Sequence, residues 1–523
     1  MSEVDPIAGH LRTAESLMPR LPMEPDTTSS TQPRVYSSWF VWLLQRVFSF
    51  PAMLGTMLVG AAFYVGRNFM VDPDVWWHVK VGESILATHL VPTADPYSFT
   101  VLGAPWMAYE WLGEILIACA SRLGGLQGLD FLLIALSAAI TLSLYVFATV
   151  RSGNSKAAFL AVTALLLIAN ASFSLRPQML GYLFLVLTLI AMELLRQGKS
   201  WALWALPPIF LIWVNTHGSF IIGLGVILVY LISGLKSFQM GGIKGLAWSG
   251  AERLRLEIIF MLCLAVLPGT PYGSRLAVYP LDMAFSQPVN VANILEWRPM
   301  PLELVGGKIF LALLFGFFLM QILFEFVWRL EELVLYFGGT FMAALHVRFI
   351  LLFVPFFAPI IAVMLARWIP GYERTKDKYI VNAVLMAGLL VATVHYFPST
   401  RNLQDRVAET FPVRALEYLQ QHSAPLPMLN TYGYGGYLIA AGQKVFVDGR
   451  GDLYERGGVL GDYMHLSQMK PGALAVLDRY GVQSCLVDRD EPMSTLLAAS
   501  SNWKLQYADS TSALYVRSHN SDH

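Results

Sequence analysis

The stretch Val71–Glu83, with the sequence VDPDVWWHVKVGE, follows the first long apolar segment and combines two aspartates, two tryptophans and a histidine. Asp72 suits the N-cap of a helix, and Pro73 suits its first helical position. Asp74 and His78 are four residues apart, so they share one helix face. Two carboxylates near the positive end of a helix stay ionised and can hold a cation or accept a proton. The alternative is a capped interfacial helix whose tryptophans anchor at the lipid headgroups.

The composition is that of a membrane protein. Of the 523 residues, 55% are hydrophobic and only 14% are charged, and the mean hydropathy is +0.53. Soluble domains carry about 25% charged residues. Basic and acidic residues balance at 36 each, so the charge does not indicate a nucleic-acid partner. Cys119, Cys263 and Cys485 show neither metal-ligand spacing nor an obvious pairing, and we expect buried, inert thiols.

Eleven apolar segments approach the roughly 20 residues that a membrane-spanning helix needs. They occupy residues 47–66, 129–150, 156–174, 178–196, 200–215, 219–236, 257–269, 308–328, 332–347, 349–367 and 379–397. Lysine and arginine concentrate in alternate connections, which places those connections in the cytosol. We therefore predict a mainly α, polytopic protein with about eleven transmembrane helices in the cell inner (cytoplasmic) membrane.

The span count and the charge bias define three regions. Residues 1–35 are polar and rich in Pro, Ser and Thr, which indicates a disordered cytosolic tail. Residues 36–400 form the transmembrane domain, in which residues 67–128 are a large outer loop. Residues 401–523 lie on the extracytoplasmic side, where alternating helical and strand-like patterns predict a small α/β domain.

A second acidic pattern lies farther along the outer loop. Trp106, Glu110 and Glu114 are spaced at i, i+4 and i+8 in the run APWMAYEWLGEILIACASRLGG. This spacing predicts a polar stripe on an otherwise apolar helix that lies along the membrane surface. The alternative is that Glu110 and Glu114 form only the solvated face of that helix.

Several polar residues lie near the outer ends of the predicted spans, where ionisable groups are rare and face a cavity or a partner. They are Arg176, Asn215, His217, Glu296, His346 and Arg348. The topology places them on the same membrane face as the two aspartates of the outer loop. Arginine suits bidentate contact with phosphate, and a carboxylate can activate a hydroxyl or hold a divalent metal ion. The set therefore favours a phosphorylated lipid substrate.

On these residues the chain resembles the glycosyltransferase-C superfamily, the multi-span enzymes that use polyprenyl-phosphate-linked sugars. Members carry an acidic pair in the first outer loop, and Asp72-Pro73-Asp74 matches that pair here. The resemblance implies that one of these carboxylates is the catalytic base or a ligand of a divalent metal ion, Mg²⁺ or Mn²⁺.

The C-terminal domain is also loosely similar to that of the oligosaccharyltransferase catalytic subunit, which opens with a Trp-Trp-Asp-Tyr-Gly run. Here the sequence is NTYGYGGY at Asn430–Tyr437, followed by VDGR at Val447–Arg450. The two tryptophans and the aspartate are missing, so peptide-acceptor recognition is not carried over. Functional contacts from Tyr434, Asp448 and Arg450 are one interpretation; a tight glycine turn and a local ion pair are the other.

The favoured function is transfer of a sugar from a polyprenyl-phosphate-linked donor to an unidentified acceptor at the extracytoplasmic face, as in the assembly of a cell-envelope polysaccharide. The partners are membrane lipid and the lipid-linked donor, with no nucleic acid. The alternative is a non-catalytic membrane scaffold or a lipid-carrier-binding subunit with the same fold. A transporter is favoured least, because the sequence shows neither a discontinuous helix pair nor an inverted repeat.

The candidate site residues divide by role. The catalytic candidates are Asp72, Asp74 and Glu110, of which Asp72 and Asp74 are also the metal candidates. The substrate-binding candidates are His78, Glu114, Arg176, Asn215, His217, Glu296, His346, Arg348, Tyr434, Asp448 and Arg450.

Overall fold

The computed structural model describes residues 39–66, 72–169 and 173–518. The predicted disordered tail 1–35 lies outside these residues, as do Val71 of the acidic stretch and the last part of the segment 156–174. The chain divides into two compact units, Met1–Arg46 and Val47–His523.

Helices dominate the described chain. Helices α1 to α15 precede the C-terminal domain: α1 (Trp39–Val47), α2 (Phe50–Gly66), α3 (Asp74–Thr88), α4 (Trp111–Ser152), α5 (Ser155–Ala169), α6 (Gln178–Arg196), α7 (Leu206–Val214), α8 (Phe220–Ser233), α9 (Gly250–Val266), α10 (Ser274–Phe285), α11 (Pro288–Asn293), α12 (Val305–Leu323), α13 (Leu330–Leu345), α14 (Ile350–Leu365) and α15 (Tyr379–His395). The C-terminal part contains α16 (Thr400–Thr410), α17 (Val413–Gln421), α18 (Gly435–Ala440), α19 (Gly451–Arg456), α20 (Val459–Ser467), α21 (Ala473–Arg479) and α22 (Pro492–Ala499). The strands are β1 (Phe238–Met240), β2 (Ile243–Gly245), β3 (Trp328–Arg329), β4 (Met428–Asn430), β5 (Ser484–Asp488), β6 (Trp503–Ala508) and β7 (Ser512–Arg517).

The chain is a multi-pass membrane protein. Each of the eleven predicted spans coincides with a helix. These helices are α2, the C-terminal part of α4, α5 to α9, and α12 to α15. Within the described residues, four helices are long and apolar enough to cross a membrane, or six if two bent helix pairs each count as one span. The helices α5, α7 and α8 are apolar but shorter than that length. The count of eleven spans therefore stays a prediction.

Helix α4 differs from the prediction of a separate surface helix followed by a span. Its 42 residues contain one backbone break, at Gly125, where φ is 55° and ψ is −135°. Glycine adopts such a positive φ without the steric cost that a side chain would add. The helix begins at Trp111, so Trp106 and Glu110 precede it and do not continue a helical stripe with Glu114.

Three arginines join helix ends opposite the predicted site. Arg151 at the end of α4 pairs with Glu332, Arg196 at the end of α6 pairs with buried Glu331, and Arg329 at the start of α13 pairs with Glu193. Arg176 precedes the other end of α6.

The C-terminal domain is built on a four-stranded sheet with the order β4-β5-β7-β6. Strands β4 and β5 are parallel, and β7 is antiparallel to both of its neighbours. The C-terminal region thus contains a small sheet, as its strand-like patterns predict. The β-branched residues before Asp448 form no strand, because within the described chain Val445 forms only an isolated bridge with Ser98.

The outer loop and the C-terminal domain share one hydrophobic core. Trp77 and Val81 of α3, with Val101 and Trp106 of the loop, pack in the same cluster as Phe446 of the C-terminal domain. The hydroxyl of Thr100 also donates a hydrogen bond to the Phe446 carbonyl, at 2.7 Å. One hydrophobic core therefore contains residues from both sides of the domain boundary predicted at residue 400. Trp106 is buried in this core rather than exposed at a membrane surface.

Arg450 joins these two segments by ion pairs. Its Nη1 lies 2.7 Å from Asp95 Oδ1, and its Nη2 lies 2.7 Å from Asp448 Oδ2. All three side chains are buried, and the guanidinium lies over the Trp106 ring at 4.7 Å. Although burial opposes it, the guanidinium holds the pKa of Asp95 below its ordinary value.

We expect Arg450→Met to destabilise the protein by about 3–5 kcal/mol, because it leaves two buried carboxylates without their cation. The control is Arg456→Met, which removes an exposed pair with Asp282 and should cost about 0–1 kcal/mol. Unfolding of the purified protein in detergent measures both. Equal effects of the two substitutions would contradict the structural role of Arg450.

Candidate functional site

A polar cavity of about 140 Å³ lies between the outer loop, the start of α6 and the C-terminal domain. Residues from distant parts of the chain form its wall. Seven of the predicted site residues line it: Asp74, His78, Glu110, Arg176, His217, Glu296 and Arg348. The expected convergence of acidic and basic side chains at one end of the helices is therefore present.

Arg176 connects three carboxylates at this cavity. Its Nε lies 2.6 Å from Asp72 Oδ2, its Nη2 lies 3.1 Å from Asp74 Oδ2, and its Nη1 lies 2.9 Å from Glu296 Oε1. Arg176 immediately precedes the proline that caps α6, so the helix start fixes its backbone. Each of the three guanidinium nitrogens thus contacts the carboxylate of a different residue.

The start of α3 holds the two aspartates in place. The helix begins at Asp74 rather than at Pro73, and the Asp74 amide donates a hydrogen bond of 2.9 Å to Asp72 Oδ1. The indole Nε1 of Trp77 donates to Asp74 Oδ1 at 3.1 Å. Burial raises the pKa of Asp74 to about 6, although Arg176 acts in the opposite direction.

Two histidines flank Glu110. His78 Nε2 lies 3.7 Å and His217 Nε2 lies 3.6 Å from its carboxyl oxygens. Burial raises the pKa of Glu110 to about 8, lowers the pKa of His217 to about 3, and lowers that of His78 well below its ordinary value. Near neutral pH the group therefore consists of neutral imidazoles around a protonated carboxyl.

Glu114 lies behind this group, where its Oε1 is 3.4 Å from His78 Nδ1. The close packing of α3 on α4 explains this contact, because a Cβ on Gly82 would lie only 2.1 Å from the Glu114 carbonyl oxygen. Glu110 and Glu114 are 7% and 1% exposed, so the alternative of a solvated helix face is wrong.

Arg348 is the second guanidinium of the cavity. It lies over the Trp297 ring at 4.3 Å, and within the described chain it forms no ion pair. His346 supports this arrangement, since its Nδ1 lies 2.5 Å from the Trp297 carbonyl oxygen. Arg176 is thus neutralised by carboxylates, whereas Arg348 leaves its charge available to an anion.

Four other predicted contact residues have internal partners. Asn215 is buried and bonds Trp111 and two backbone carbonyls, and Tyr434 donates to the Thr511 carbonyl. Asp448 and Arg450 pair with each other. This ion pair lies within the VDGR run, and the four residues make internal contacts and do not line this cavity.

The cavity wall also contains polar residues that are not among the predicted site residues: Tyr109, Gln178, Asn290, Tyr432 and Asp452. Asp452 is 6% exposed and accepts a hydrogen bond from the Tyr279 hydroxyl, and burial raises its pKa. Tyr432 lies in the same glycine-rich run as Tyr434, and it is Tyr432 rather than Tyr434 that lines the cavity.

Glycines let the C-terminal domain approach the aspartates. A Cβ on Gly436 would lie 2.2 Å from the Pro73 carbonyl oxygen, and one on Gly449 would lie 1.7 Å from Asp74 Oδ1. By contrast, a Cβ on Gly433 would meet nothing within 4 Å. The glycine-rich run is therefore more than a turn, since it brings two chain segments into contact beside Asp74.

The predicted Mg²⁺ or Mn²⁺ site does not fit the aspartates as they are bonded. Both oxygens of Asp72 and both oxygens of Asp74 already accept hydrogen bonds or ion pairs from Arg176, Trp77 or the backbone. Within the described residues, no group of three or more His, Cys, Asp or Glu side chains could hold a metal ion.

The fold is similar to that of a solved archaeal oligosaccharyltransferase, so the predicted resemblance is confirmed at the level of the fold. Archaeal oligosaccharyltransferase AglB from Archaeoglobus fulgidus, in complex with an inhibitory peptide and a dolichol-phosphate, is 12% identical over 93% of this chain and 75% of its own, with a TM-score of 0.50. ArnT from Cupriavidus metallidurans, bound to undecaprenyl phosphate, is 14% identical over 92% and 99%, with a TM-score of 0.47. No protein-family model and no curated protein matches the sequence.

We expect Glu110→Gln to flatten the pH dependence of stability. The folded chain keeps the Glu110 proton up to about pH 8, whereas unfolded glutamate loses it near the ordinary pKa of 4.5. The free energy of unfolding therefore falls as the pH rises between these values. Glutamine mimics the neutral carboxyl, so it should stabilise the protein by roughly 2–4 kcal/mol at pH 8 and by almost nothing at pH 4.5.

Unfolding of the purified protein from pH 4.5 to pH 8 tests this expectation, with the exposed Glu257 changed to Gln as the control. Parallel pH curves for the wild type and Glu110→Gln would show that Glu110 is not held protonated.

Proposed function

We propose that this protein is a membrane glycosyltransferase that transfers a sugar from a polyprenyl-phosphate-linked donor to an acceptor at the extracytoplasmic face. The observation that carries the proposal is that one cavity is lined both by the carboxylate of Asp74 and by the guanidinium of Arg348, which forms no ion pair within the described chain. The guanidinium suits a phosphate, and the carboxylate suits an acceptor hydroxyl.

The two arginines have separate tasks in this proposal. Arg176 is committed to three carboxylates, so it orients acidic groups. Arg348 has no carboxylate partner in the described chain and can make charge-assisted hydrogen bonds to phosphate oxygens. Trp297 holds the guanidinium plane from one side, which leaves its N–H groups to face the donor.

The transfer step needs a base for the acceptor and stabilisation for the leaving group. Asp74 takes the proton of the acceptor hydroxyl, and the oxygen of that hydroxyl forms a bond to the anomeric carbon of the donor sugar. The bond from that carbon to the phosphate oxygen breaks, and the electron pair leaves with the polyprenyl phosphate. Arg348 stabilises the charge that develops on the phosphate, and protonated Glu110 is placed to donate a hydrogen bond.

The fold supports a lipid-linked donor. AglB, which shares this fold at a TM-score of 0.50, was solved with a dolichol-phosphate. The cavity lies at the ends of α4 and α6 opposite the arginine-rich helix ends, which agrees with a site at the extracytoplasmic boundary of an inner membrane. A cell-envelope polysaccharide or its precursor is the acceptor class we favour, because the peptide-recognition run of oligosaccharyltransferase is missing here.

We expect Arg348→Met to weaken binding of polyprenyl phosphate by about tenfold or more, because a charged hydrogen bond is worth roughly 1.5–3 kcal/mol. Native mass spectrometry of the purified protein, titrated with a short-chain polyprenyl phosphate, measures the change. Arg456→Met, a loss of an exposed arginine, is the matched control and should bind like the wild type. Equal affinity of all three proteins for polyprenyl phosphate would show that Arg348 does not contact the phosphate.

We expect Asp74→Asn to lower the rate of sugar transfer by about 100-fold or more while polyprenyl phosphate still binds, because amide replaces the base. Gly449→Ala should act in the same direction, since its methyl group displaces Asp74 without changing the carboxyl chemistry. Gly433→Ala, whose added methyl meets open space, is the control. The measurement is release of polyprenyl phosphate from a panel of polyprenyl-phosphate hexoses, with a membrane extract added to supply the acceptor hydroxyl. Unchanged release in Asp74→Asn would refute the base, and bound lipid without any transfer by the wild type would favour the scaffold.

A further inference from the structure

We propose that Arg176 is a built-in cation that takes the place of a divalent metal ion in this site, so that the protein works without one. This inference deepens the proposed function, because it concerns the same carboxylates. It rests on the contacts of Arg176 with Asp72, Asp74 and Glu296.

The three carboxylates have the composition of a metal site but not its geometry. Mg²⁺ and Mn²⁺ need oxygens that converge on one point at about 2.1 Å. Here the oxygens point at three different nitrogens of one planar group, at 2.6, 3.1 and 2.9 Å. The guanidinium lies where the ion would have to be, so an ion can enter only if Arg176 leaves.

The remaining oxygens of the two aspartates are also committed. Asp72 Oδ1 accepts from the Asp74 amide, and Asp74 Oδ1 accepts from the Trp77 indole. These hydrogen bonds hold each carboxylate in an orientation in which its other oxygen faces Arg176. A carboxylate oxygen has a second lone pair, so Asp74 still can accept a proton from a hydroxyl in the cavity.

The charge also explains why this position holds an arginine. Three neighbouring carboxylates repel one another, and some cation has to lie among them for all to stay ionised. A guanidinium stays charged at every physiological pH and needs no supply from outside. Arg176 is tethered to the start of α6, so this cation is fixed to the fold itself.

The test is direct measurement of Mn²⁺ binding to the purified full-length protein, by electron paramagnetic resonance and by thermal unfolding in Mn²⁺ or in EDTA. Wild type should bind no stoichiometric Mn²⁺ at millimolar concentration and should unfold at the same temperature in both solutions. Arg176→Met frees the three carboxylates, so it should gain Mn²⁺ affinity of at least about tenfold over the wild type and be stabilised by the ion.

Two variants make the result specific. Arg348→Met removes the other cavity arginine but frees no carboxylate, so it should bind Mn²⁺ no better than the wild type. Arg176→Lys keeps a cation among the carboxylates and should also gain no Mn²⁺ affinity. Stoichiometric Mn²⁺ binding by the wild type, with loss of stability in EDTA, would overturn the proposal even if Arg176→Met does not fold. Because the readout is metal binding, a failure of the proposed sugar transfer leaves this result unaffected.

Discussion

The ion pairs of Arg176 are the interaction on which the site depends. One guanidinium draws together the carboxylates of Asp72 just before α3, of Asp74 at its first residue, and of Glu296. Without this cation, Asp72 and Asp74 would repel each other in a half-buried position, where the cost of unpaired charge is high. The same contacts leave Arg348 as the cavity cation that is not neutralised by the described chain. The cavity therefore presents both a carboxylate, Asp74, which suits an acceptor hydroxyl, and a guanidinium, Arg348, which suits a phosphate.

The C-terminal domain belongs to the site as much as the helices do. Its residues Tyr432 and Asp452 line the cavity, and its glycines approach the backbone and side chain of the aspartate pair. The shared hydrophobic core and buried Arg450 fix this contact. The outer loop is the part that connects the two regions, because it contributes Asp74 to the cavity and Trp77 to the core of the C-terminal domain.

Features that depend on local sequence were predictable, and those that depend on distant packing were not. Apolar segments identified the positions of eleven helices, and the four-residue spacing of Asp74 and His78 put both on one cavity wall. The stripe from Trp106 failed because the helix begins only at Trp111. Asp452 carries no local signal, since its place in the cavity comes from contacts across the fold.

The break at Gly125 has a mechanical consequence. It divides α4 into a segment that holds Glu114 beside His78 and a longer apolar segment that can cross the bilayer. Membranes of different thickness change the tilt of such a segment. A glycine joint at this point lets the segment of α4 after Gly125 adjust its angle while the segment before it stays packed on α3, so the carboxyls of the cavity are insulated from the lipid in which the protein is embedded.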